Sequence, residues 1–137
     1  MNRYTLILTF LLSLSLLSGC DSGSMSDETI DYGELIERDG LFYKKFTDIP
    51  YTGKVSGERQ GSMRNGKEEG EWKFYYGDNA LKAKGTYKQG KQNGNFTIYH
   101  DNSQILYQGN YLKGKKEGQF NFYYKNGAIN KQKSGDT

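Results

Sequence analysis

The chain has 137 residues, of which 19 are basic and 16 are acidic, so its formal net charge at pH 7 is only +3. Nucleic acids are normally bound by a clustered basic face, and a charge this small leads us to expect no nucleic-acid partner. The 18 glycines and 12 tyrosines are high counts for this length. Together they indicate many turns and many half-buried aromatic positions, which are typical of β structure.

The first residues have the layout of an export signal. Arg3 precedes an apolar run from Leu6 to Leu17, and small residues then lead to Cys20. A basic start, an apolar core and small residues before a cleavage point are typical of a secretory signal peptide. The run is shorter than the roughly 20 apolar residues that span a bilayer. We therefore predict that residues 1–19 are removed and not kept as a transmembrane helix.

The segment Leu17-Ser-Gly-Cys20 resembles the lipobox of bacterial lipoproteins. The resemblance implies that Cys20 becomes the first residue, carries acyl chains such as palmitate, and anchors the exported protein to the cell membrane or the outer membrane. Cys20 is the only cysteine, so it has no intramolecular disulfide to make. The alternative is an ordinary signal peptide with an incidental cysteine. We assign residues 20–38, which begin with a Ser-rich acidic stretch, to a flexible tether.

The rest of the chain repeats with a period of 24 residues. Three segments align without a gap: Asn65-Gly-Lys-Glu-Glu-Gly-Glu-Trp-Lys-Phe-Tyr-Tyr76, Gln89-Gly-Lys-Gln-Asn-Gly-Asn-Phe-Thr-Ile-Tyr-His100 and Lys113-Gly-Lys-Lys-Glu-Gly-Gln-Phe-Asn-Phe-Tyr-Tyr124. The period also holds at the aromatic positions Trp72, Phe96 and Phe120 and at Gly61, Gly85 and Gly109. A period kept at this many positions predicts a repeat architecture.

Each unit predicts one β-hairpin. The segments Trp72–Tyr76 and Leu81–Tyr87 both alternate as strands with one buried face do. Between them lie Asp78-Asn79, and the later units place Asn102-Ser103 and Asn126-Gly127 at the same point. We predict a two-residue turn there, because these residue types tolerate φ > 0. Centred on that turn, position 76 opposes 81, position 74 opposes 83 and position 72 opposes 85.

This register predicts a core face and an arrangement of rings on it. Directly opposed residues share a face, so Leu81, Ala83 and Gly85 join Tyr76, Phe74 and Trp72. With Gly85 opposite Trp72 and Gly109 opposite Phe96, a ring can lie across the bare backbone of its neighbour. Lys133 takes the glycine's place opposite Phe120, as expected for a terminal repeat.

The predicted fold class is all-β: an antiparallel meander of stacked β-hairpin repeats forming an open single-layer sheet. The repeat domain covers residues 39–133, Gly-Lys-x-x-Gly loops join the hairpins, and residues 134–137 form a C-terminal tail. Residues 39–55 predict a shortened leading hairpin. Strong curvature, the segment Ile30–Phe46 or a second copy must cover the apolar face, and open edges leave a homo-oligomer as an alternative.

The pattern Asn65-Gly-Lys-x-x-Gly-x-Trp-x-x-Tyr-Tyr76, followed by Leu81-Lys-x-x-Gly-x-Tyr87, resembles the MORN-type repeat. In particular it resembles the variant found in bacterial proteins catalogued as YwqK-type antitoxins, and the resemblance covers roughly residues 39–133. It implies a β-hairpin sheet with an interaction role. An antitoxin-like or immunity role is one alternative, although a cytosolic antitoxin would not need the lipid anchor that Cys20 predicts.

The sequence contains no catalytic constellation, so we predict that the protein is not an enzyme. His100 is the only histidine and occupies the repeat position of Tyr76 and Tyr124. We therefore interpret it as a ring in a packed column and not as a general base. Ligand residues are not clustered at metal-binding spacing, so we expect no metal and no cofactor. The carboxylates of Glu68, Glu69 and Glu117 are interpreted as solvated charges in the inter-hairpin loops.

The opposite face of the sheet is the predicted binding face. It carries a column of tyrosines with flanking lysines: Tyr75, Tyr99 and Tyr123 with Lys73, Lys82 and Lys84. Tyrosine is common at interfaces. The alternative is that these rings cover one another and the lysine stems, or lie under the N-terminal segment.

We accordingly predict a membrane-anchored, non-catalytic module of the bacterial cell envelope that binds a protein partner through its sheet. A cell-wall or glycan binder is an alternative, although aromatic cages of that kind use repeated tryptophan and this chain has only Trp72. A lipid-surface binder is a further alternative, which the near-neutral charge makes weaker.

Overall fold

The computed structural model describes residues 28–135, so Cys20 and the predicted signal peptide lie outside the described residues. Within this range the chain forms strands and one short 3₁₀ helix, Tyr32–Glu34. The strands are β1 Thr29–Asp31, β2 Leu35–Arg38, β3 Leu41–Lys44, β4 Gly53–Ser56, β5 Arg59–Arg64, β6 Lys67–Tyr75, β7 Leu81–Lys88, β8 Lys91–Tyr99, β9 Ile105–Leu112, β10 Lys115–Tyr123 and β11 Ile129–Ser134.

The main sheet is a long meander, as the repeat predicts. Its nine strands follow the order β1-β4-β5-β6-β7-β8-β9-β10-β11. All neighbours from β4 onward are antiparallel, whereas β1 runs parallel to β4. The sheet is open, and β2 and β3 form a separate two-stranded sheet. The predicted all-β meander is therefore confirmed.

The predicted register holds along the inner part of each hairpin. Trp72 pairs with Gly85 and Phe74 with Ala83. The equivalent pair Phe96 and Gly109 forms in the next unit. In the last unit, Lys133 takes the glycine's place opposite Phe120, as predicted.

The turn at each hairpin tip is longer than predicted. The Tyr76 N–H donates to the Ala80 carbonyl at 2.9 Å, so three residues turn the chain. Asn79 takes a positive φ of 64°, and the Asp78 carboxylate accepts a hydrogen bond from the Ala80 N–H at 3.0 Å. Asn102 and Asn126 accept the same bond in their units, at 3.1 and 3.0 Å. This side-chain bond stabilises a three-residue loop, in which only the last residue needs a left-handed conformation.

The longer turn shifts the outer register. A bulge after Phe74 pairs Tyr75 with Leu81, so the predicted pairing of Tyr76 with Leu81 is wrong. Tyr76 leaves the strand and is exposed. Its placement on the core face with Trp72 and Phe74 is therefore also wrong.

The two-residue turns lie instead between hairpins. Arg64 pairs with Lys67, and Asn65 and Gly66 between them have φ of 50° and 73°. The same positive pair recurs at Gln89-Gly90 and Lys113-Gly114. Two positive φ values match the twist of antiparallel strands joined by two residues. The predicted Gly-Lys-x-x-Gly loops are therefore wrong, because the residues after the first glycine already belong to the next strand.

The N-terminal segment is part of the fold. Residues 29–38, which the sequence assigned to the tether, form β1, the 3₁₀ helix and β2. The predicted leading hairpin over residues 39–55 is wrong, because β3 pairs with β2 and β4 pairs with β5 in the main sheet. The two segments meet only at a bridge between Tyr43 and Pro50, where the Tyr51 N–H donates to the Phe42 carbonyl at 2.9 Å.

This segment covers one end of the aromatic face. Trp72 is 1% exposed and belongs to a buried cluster with Ile30, Tyr51, Val55 and Met63. Tyr32, Leu35 and Phe42 pack against that cluster. Of the three predicted covers, the segment Ile30–Phe46 is the one that the structure uses at this end.

Each aromatic ring packs on a glycine of the preceding repeat unit and not on the residue paired with it in its own hairpin. A Cβ at Gly61 would overlap the Trp72 ring, one at Gly85 the Phe96 ring, and one at Gly109 the Phe120 ring. The predicted direction, with Trp72 across Gly85, is therefore wrong although the two residues are paired. Lys133 stands at the repeat position of these glycines and is exposed, so its side chain meets no such ring in the described part of the chain.

Candidate functional site

The aromatic face continues past the N-terminal cover across β6 to β10. Phe74 contacts Phe96 with 6.3 Å between ring centroids, and Phe96 contacts Tyr111 at 5.9 Å. Tyr111 then meets Phe120 edge-on at 5.6 Å. Phe74 and Phe96 stay only half-buried. We call this surface the aromatic face, and its half-exposed members are Phe74, Tyr87, Phe96, Ile98, Tyr111 and Phe122.

A cavity of about 350 Å³ lies in the aromatic face next to the N-terminal cover. The size falls within the range of small-molecule or side-chain pockets. Its apolar lining comes from β6, β7 and β8, where the alternation of each strand brings its aromatic and aliphatic residues to one side. The lining residues are Phe74, Ala83, Tyr87, Phe96 and Ile98, with Glu58, Arg59, Tyr75 and Lys82.

Arg59 places a positive charge at this cavity. Its guanidinium lies 4.6 Å from the centre of the Tyr32 ring and 5.8 Å from that of Phe74. Its Nη1 also donates to the Tyr32 hydroxyl at 2.8 Å. Stacking on rings holds a guanidinium in one orientation, and the ring electrons stabilise its charge. The N-terminal segment thus positions Arg59 as well as covering the core.

Glu68 is half-buried beside this arginine. Burial raises the pKa of its carboxyl group, and the charge of Glu37 raises it further, whereas Arg59 opposes the shift. Glu68 and Arg59 line a second, polar cavity together with Tyr32 and Glu37. The interpretation of Glu68 as a solvated loop charge is therefore wrong. It sits in β6, because the turn before it takes only two residues.

The other two carboxylates are also strand residues. Glu69 lies in β6, and its Oε2 accepts a hydrogen bond from the Gln89 N–H at 2.9 Å. Glu117 lies in β10 and is exposed. Their predicted placement in loops is wrong for the same reason, while the solvated character predicted for Glu117 is confirmed.

Two tyrosines on the aromatic face share a hydrogen bond. The hydroxyl groups of Tyr107 and Tyr111 lie 2.8 Å apart. Burial raises the pKa of Tyr107, and the neighbouring Tyr111 adds to the shift. Burial also raises the pKa of Tyr87. The phenols of Tyr107 and Tyr87 therefore remain protonated at neutral pH.

The three tyrosines of the predicted column lie at the ends of alternate strands. Tyr75, Tyr99 and Tyr123 are half-buried and end β6, β8 and β10. They are two strands apart, which spaces them by roughly 10 Å. Among the described residues, no ring contact joins two of them, so the alternative in which they cover one another is wrong. Tyr75 lines the cavity of the aromatic face, together with Lys82.

The three lysines of the predicted binding face lie in two different surroundings. Lys82 Nζ lies 5.3 Å from the centre of the Tyr76 ring. Lys73 and Lys84 are paired across β6 and β7. They belong to a cross-strand row of polar residues that the sequence analysis missed, although the 24-residue period carries it: Gln60, Lys73, Lys84, Thr97, Gln108, Asn121 and Gln132.

His100 keeps the backbone role of its repeat position. Its N–H donates to the Gln104 carbonyl at 2.8 Å, as Tyr76 and Tyr124 do at their turns. Its Nε2 lies 3.0 Å from the Tyr123 carbonyl oxygen and must donate there, because a carbonyl only accepts. The predicted packed column is wrong, since Tyr76 and Tyr124 are exposed.

Residues 28–135 contain no group of three or more histidine, cysteine, aspartate or glutamate side chains that could hold a metal ion. In the same range, no helix is long and apolar enough to cross a membrane. Comparison with known proteins finds no protein family, no curated protein and no solved structure that matches this chain.

Proposed function

We propose that this chain is a lipid-anchored, non-catalytic interaction module of the bacterial cell envelope, and that its aromatic face binds a protein partner. The observation that supports the proposal best is the half-exposed aromatic face beyond the N-terminal cover. Its rings contact one another along the sheet, so each ring is packed against a neighbour before a partner binds. A surface that is already ordered loses little entropy when it binds.

The composition of this face favours a protein over a sugar or a nucleic acid. Protein interfaces are enriched in phenylalanine, tyrosine and arginine and depleted of lysine and glutamate at their centres. The cavity in the aromatic face combines Phe74, Phe96 and Tyr87 with Arg59, and its other charged lining residues are Glu58 and Lys82. A bulky apolar side chain of the partner would fill it, as anchor residues do at interfaces.

The lipid anchor on Cys20 is the second half of the proposal. It rests on the lipobox resemblance at residues 17–20 and on the absence of any other cysteine. A protein with several acyl chains stays at the membrane firmly, whereas one chain binds only weakly. The partner would therefore be another component of the envelope, or a segment exposed to it.

Site-specific photo-crosslinking in intact cells tests this proposal. A photoreactive phenylalanine at Phe96 keeps a ring on the aromatic face, and we expect it to capture one discrete protein. The same group at Lys84, in the polar row of the opposite face, is the matched control and should capture no such protein. Crosslinks that arise only at Lys84, or only to glycan or lipid, would exclude the aromatic face as a protein-binding surface.

A triple substitution tests the tyrosine column separately. Tyr75, Tyr99 and Tyr123 changed to Ser should weaken the crosslink from Phe96 only partly, because Tyr75 alone of the three lines the cavity. Complete loss of the crosslink would assign the binding energy to the column. Sedimentation of the wild type with cell-wall sacculi, abolished by the same change, would favour the glycan-binding alternative.

A further inference from the structure

The loop between β3 and β4 presents two large apolar side chains to solvent. Phe46 is 102% exposed relative to its extended reference and Ile49 is 79% exposed. Single exposed apolar residues are common on protein surfaces. These two differ because they lie three residues apart at the tip of one loop, which the bridge between Tyr43 and Pro50 closes at its base.

Hydrogen bonds and an ion pair fix the conformation of this loop. The Thr47 N–H and hydroxyl both donate to the Lys44 carbonyl, at 3.1 and 2.8 Å. Arg38 donates to the Thr47 carbonyl at 2.6 Å and pairs with Asp48 at 2.9 Å. Phe46 has a φ of 65°, a conformation that bulky residues rarely adopt. The bonds around it therefore hold a strained residue outward, where its ring has no partner in the described part of the chain.

The loop lies beside the point where the chain leads back to Cys20. Lys44 at its base forms an ion pair with Glu28. The Glu28 carbonyl accepts from the Lys54 N–H at 3.1 Å, so this end of the chain is fixed to β4. Eight residue steps separate Cys20 from Glu28, a span of at most roughly 29 Å. An acylated Cys20 would thus keep this loop close to the bilayer.

The charges around the loop indicate what kind of surface it meets. Three basic side chains are paired with three acidic ones: Arg38 with Asp48, Lys44 with Glu28 and Lys45 with Glu34. Basic patches that attract anionic lipid keep their charge unpaired. Here these charges are neutralised in pairs, including Asp48 between the two apolar residues, which suits insertion at the headgroup and acyl boundary.

We propose that Phe46 and Ile49 form a membrane wedge that dips into the outer part of the lipid layer and fixes the orientation of the domain at the membrane. This inference rests on the lipid anchor of the proposed function. It adds a second contact, made by the folded domain itself, so the aromatic face is presented to partners at a set angle and not on a freely turning tether.

The test uses the full, lipidated chain reconstituted into phosphatidylethanolamine and phosphatidylglycerol vesicles. A nitroxide label is attached to Phe46→Cys, and its collisions with oxygen, which enters lipid, are compared with those of a water-soluble nickel chelate. Ser103→Cys is the matched control, because Ser103 is an exposed turn residue with a φ of 64°. We expect a severalfold higher ratio of oxygen to nickel collisions at position 46 than at position 103.

A second variant checks that the two side chains act together. A label on Ile49→Cys should lie in lipid, and adding Phe46→Asp should move it into water. The same depth in vesicles of phosphatidylcholine alone is expected, because the basic residues are already paired. Equal exposure of positions 46 and 103 to nickel in membrane-bound protein would overturn the wedge while leaving the anchor intact.

Failure of the anchor gives a different result. If Cys20 is not acylated, each variant takes a second label at that position, and the protein does not enter the vesicles. That outcome would remove the anchor and the wedge together. It is distinguished from failure of the wedge alone by the number of labels per chain.

Discussion

Trp72 and Phe120 occupy the same repeat position and are equally buried, at 1% exposure, yet different surroundings bury them. At the N-terminal end, Ile30 of a segment that does not belong to the repeat covers Trp72 together with Val55 of β4 and Met63 of β5. Toward the C-terminal end, residues of the sheet itself cover Phe120. Tyr107 stacks on it at 5.5 Å, and Tyr111 meets it edge-on at 5.6 Å.

The difference shows how a single layer of sheet can bury rings without a second layer. Each ring lies on the backbone of a glycine in the preceding unit, which covers the side of the ring that faces the sheet. Tyrosines of the same face, such as Tyr107 and Tyr111 around Phe120, then contact the rest of the ring. Phe96, between the two ends, has neither the N-terminal cover nor a stacked neighbour as close as Tyr107 and stays half-buried. The middle of the sheet is therefore the part that is left open to a partner.

The largest expected effect on stability comes from removing the ring of Phe120, which residues of the sheet itself cover. Phe120→Ala should lower the free energy of unfolding by about 3–5 kcal/mol, because it leaves a cavity under Tyr107 and Tyr111. Phe96→Ala, at the same repeat position but half-exposed, should cost roughly 1–2 kcal/mol. Urea unfolding of both variants measures the two values. Equal losses would mean that Phe96 is covered in solution, for example by a second copy.

Substitution of the glycines on which the rings pack should have an intermediate effect on the free energy of unfolding. Gly109→Ala places a methyl group against the Phe120 ring and should cost about 1–3 kcal/mol. Gly61→Ala should cost more, since the N-terminal cover prevents Trp72 from moving away. Lys133→Ala is the matched control and should change stability by less than about 0.5 kcal/mol. A Gly109→Ala variant as stable as the control would contradict the ring-on-glycine packing.

The smallest expected effect is the pH dependence of stability that Glu68 causes beside the N-terminal cover. Burial raises the pKa of Glu68, so above the ordinary value of 4.5 the folded protein holds a proton that the unfolded chain has lost. Unfolding releases that proton, and wild-type stability falls as pH rises through this window. Glu68→Gln lacks the effect. Its stability relative to the wild type should therefore be higher at pH 7 than at pH 4, measured by thermal unfolding.

The exposed Asn110→Gln variant, which adds and removes no titratable group, is the control for that comparison. It should show the same difference from the wild type at both pH values. A Glu68→Gln variant whose difference from the wild type does not change between pH 4 and pH 7 would show that Glu68 is solvated in the folded protein.

Much of the fold follows from the repeat alone. The pairs Trp72 with Gly85 and Phe74 with Ala83 were predictable, because strand alternation and turn position set them. The outer pair of Tyr75 with Leu81 was not, because Asn-Gly and Asp-Asn suit both a two-residue and a three-residue turn. In the folded hairpin the Asp78 carboxylate accepts a hydrogen bond from the Ala80 N–H, and this bond favours the three-residue turn.

The candidate site was less predictable than the fold. Tyr75 and Lys82 were predicted to lie on the face opposite Phe74, yet they line the same cavity as Phe74. Arg59 and Tyr32 were not singled out, because Arg59 stands where the later units have Ala83 and Tyr107, and it meets Tyr32 only when the N-terminal segment folds back. Phe46 was likewise missed, since an apolar residue in a short loop has the same composition whether it is buried or exposed.

The sequence by itself determined the β-hairpin, its period and the face on which Trp72, Phe96 and Phe120 lie, because these depend on residue spacing along one strand and its neighbour. Tertiary structure decided which glycine each ring rests on, what covers Trp72, and where a charged or apolar side chain is exposed. Those outcomes depend on contacts between segments far apart in the chain. Local propensity carries no information about such contacts, whereas packing and burial select them.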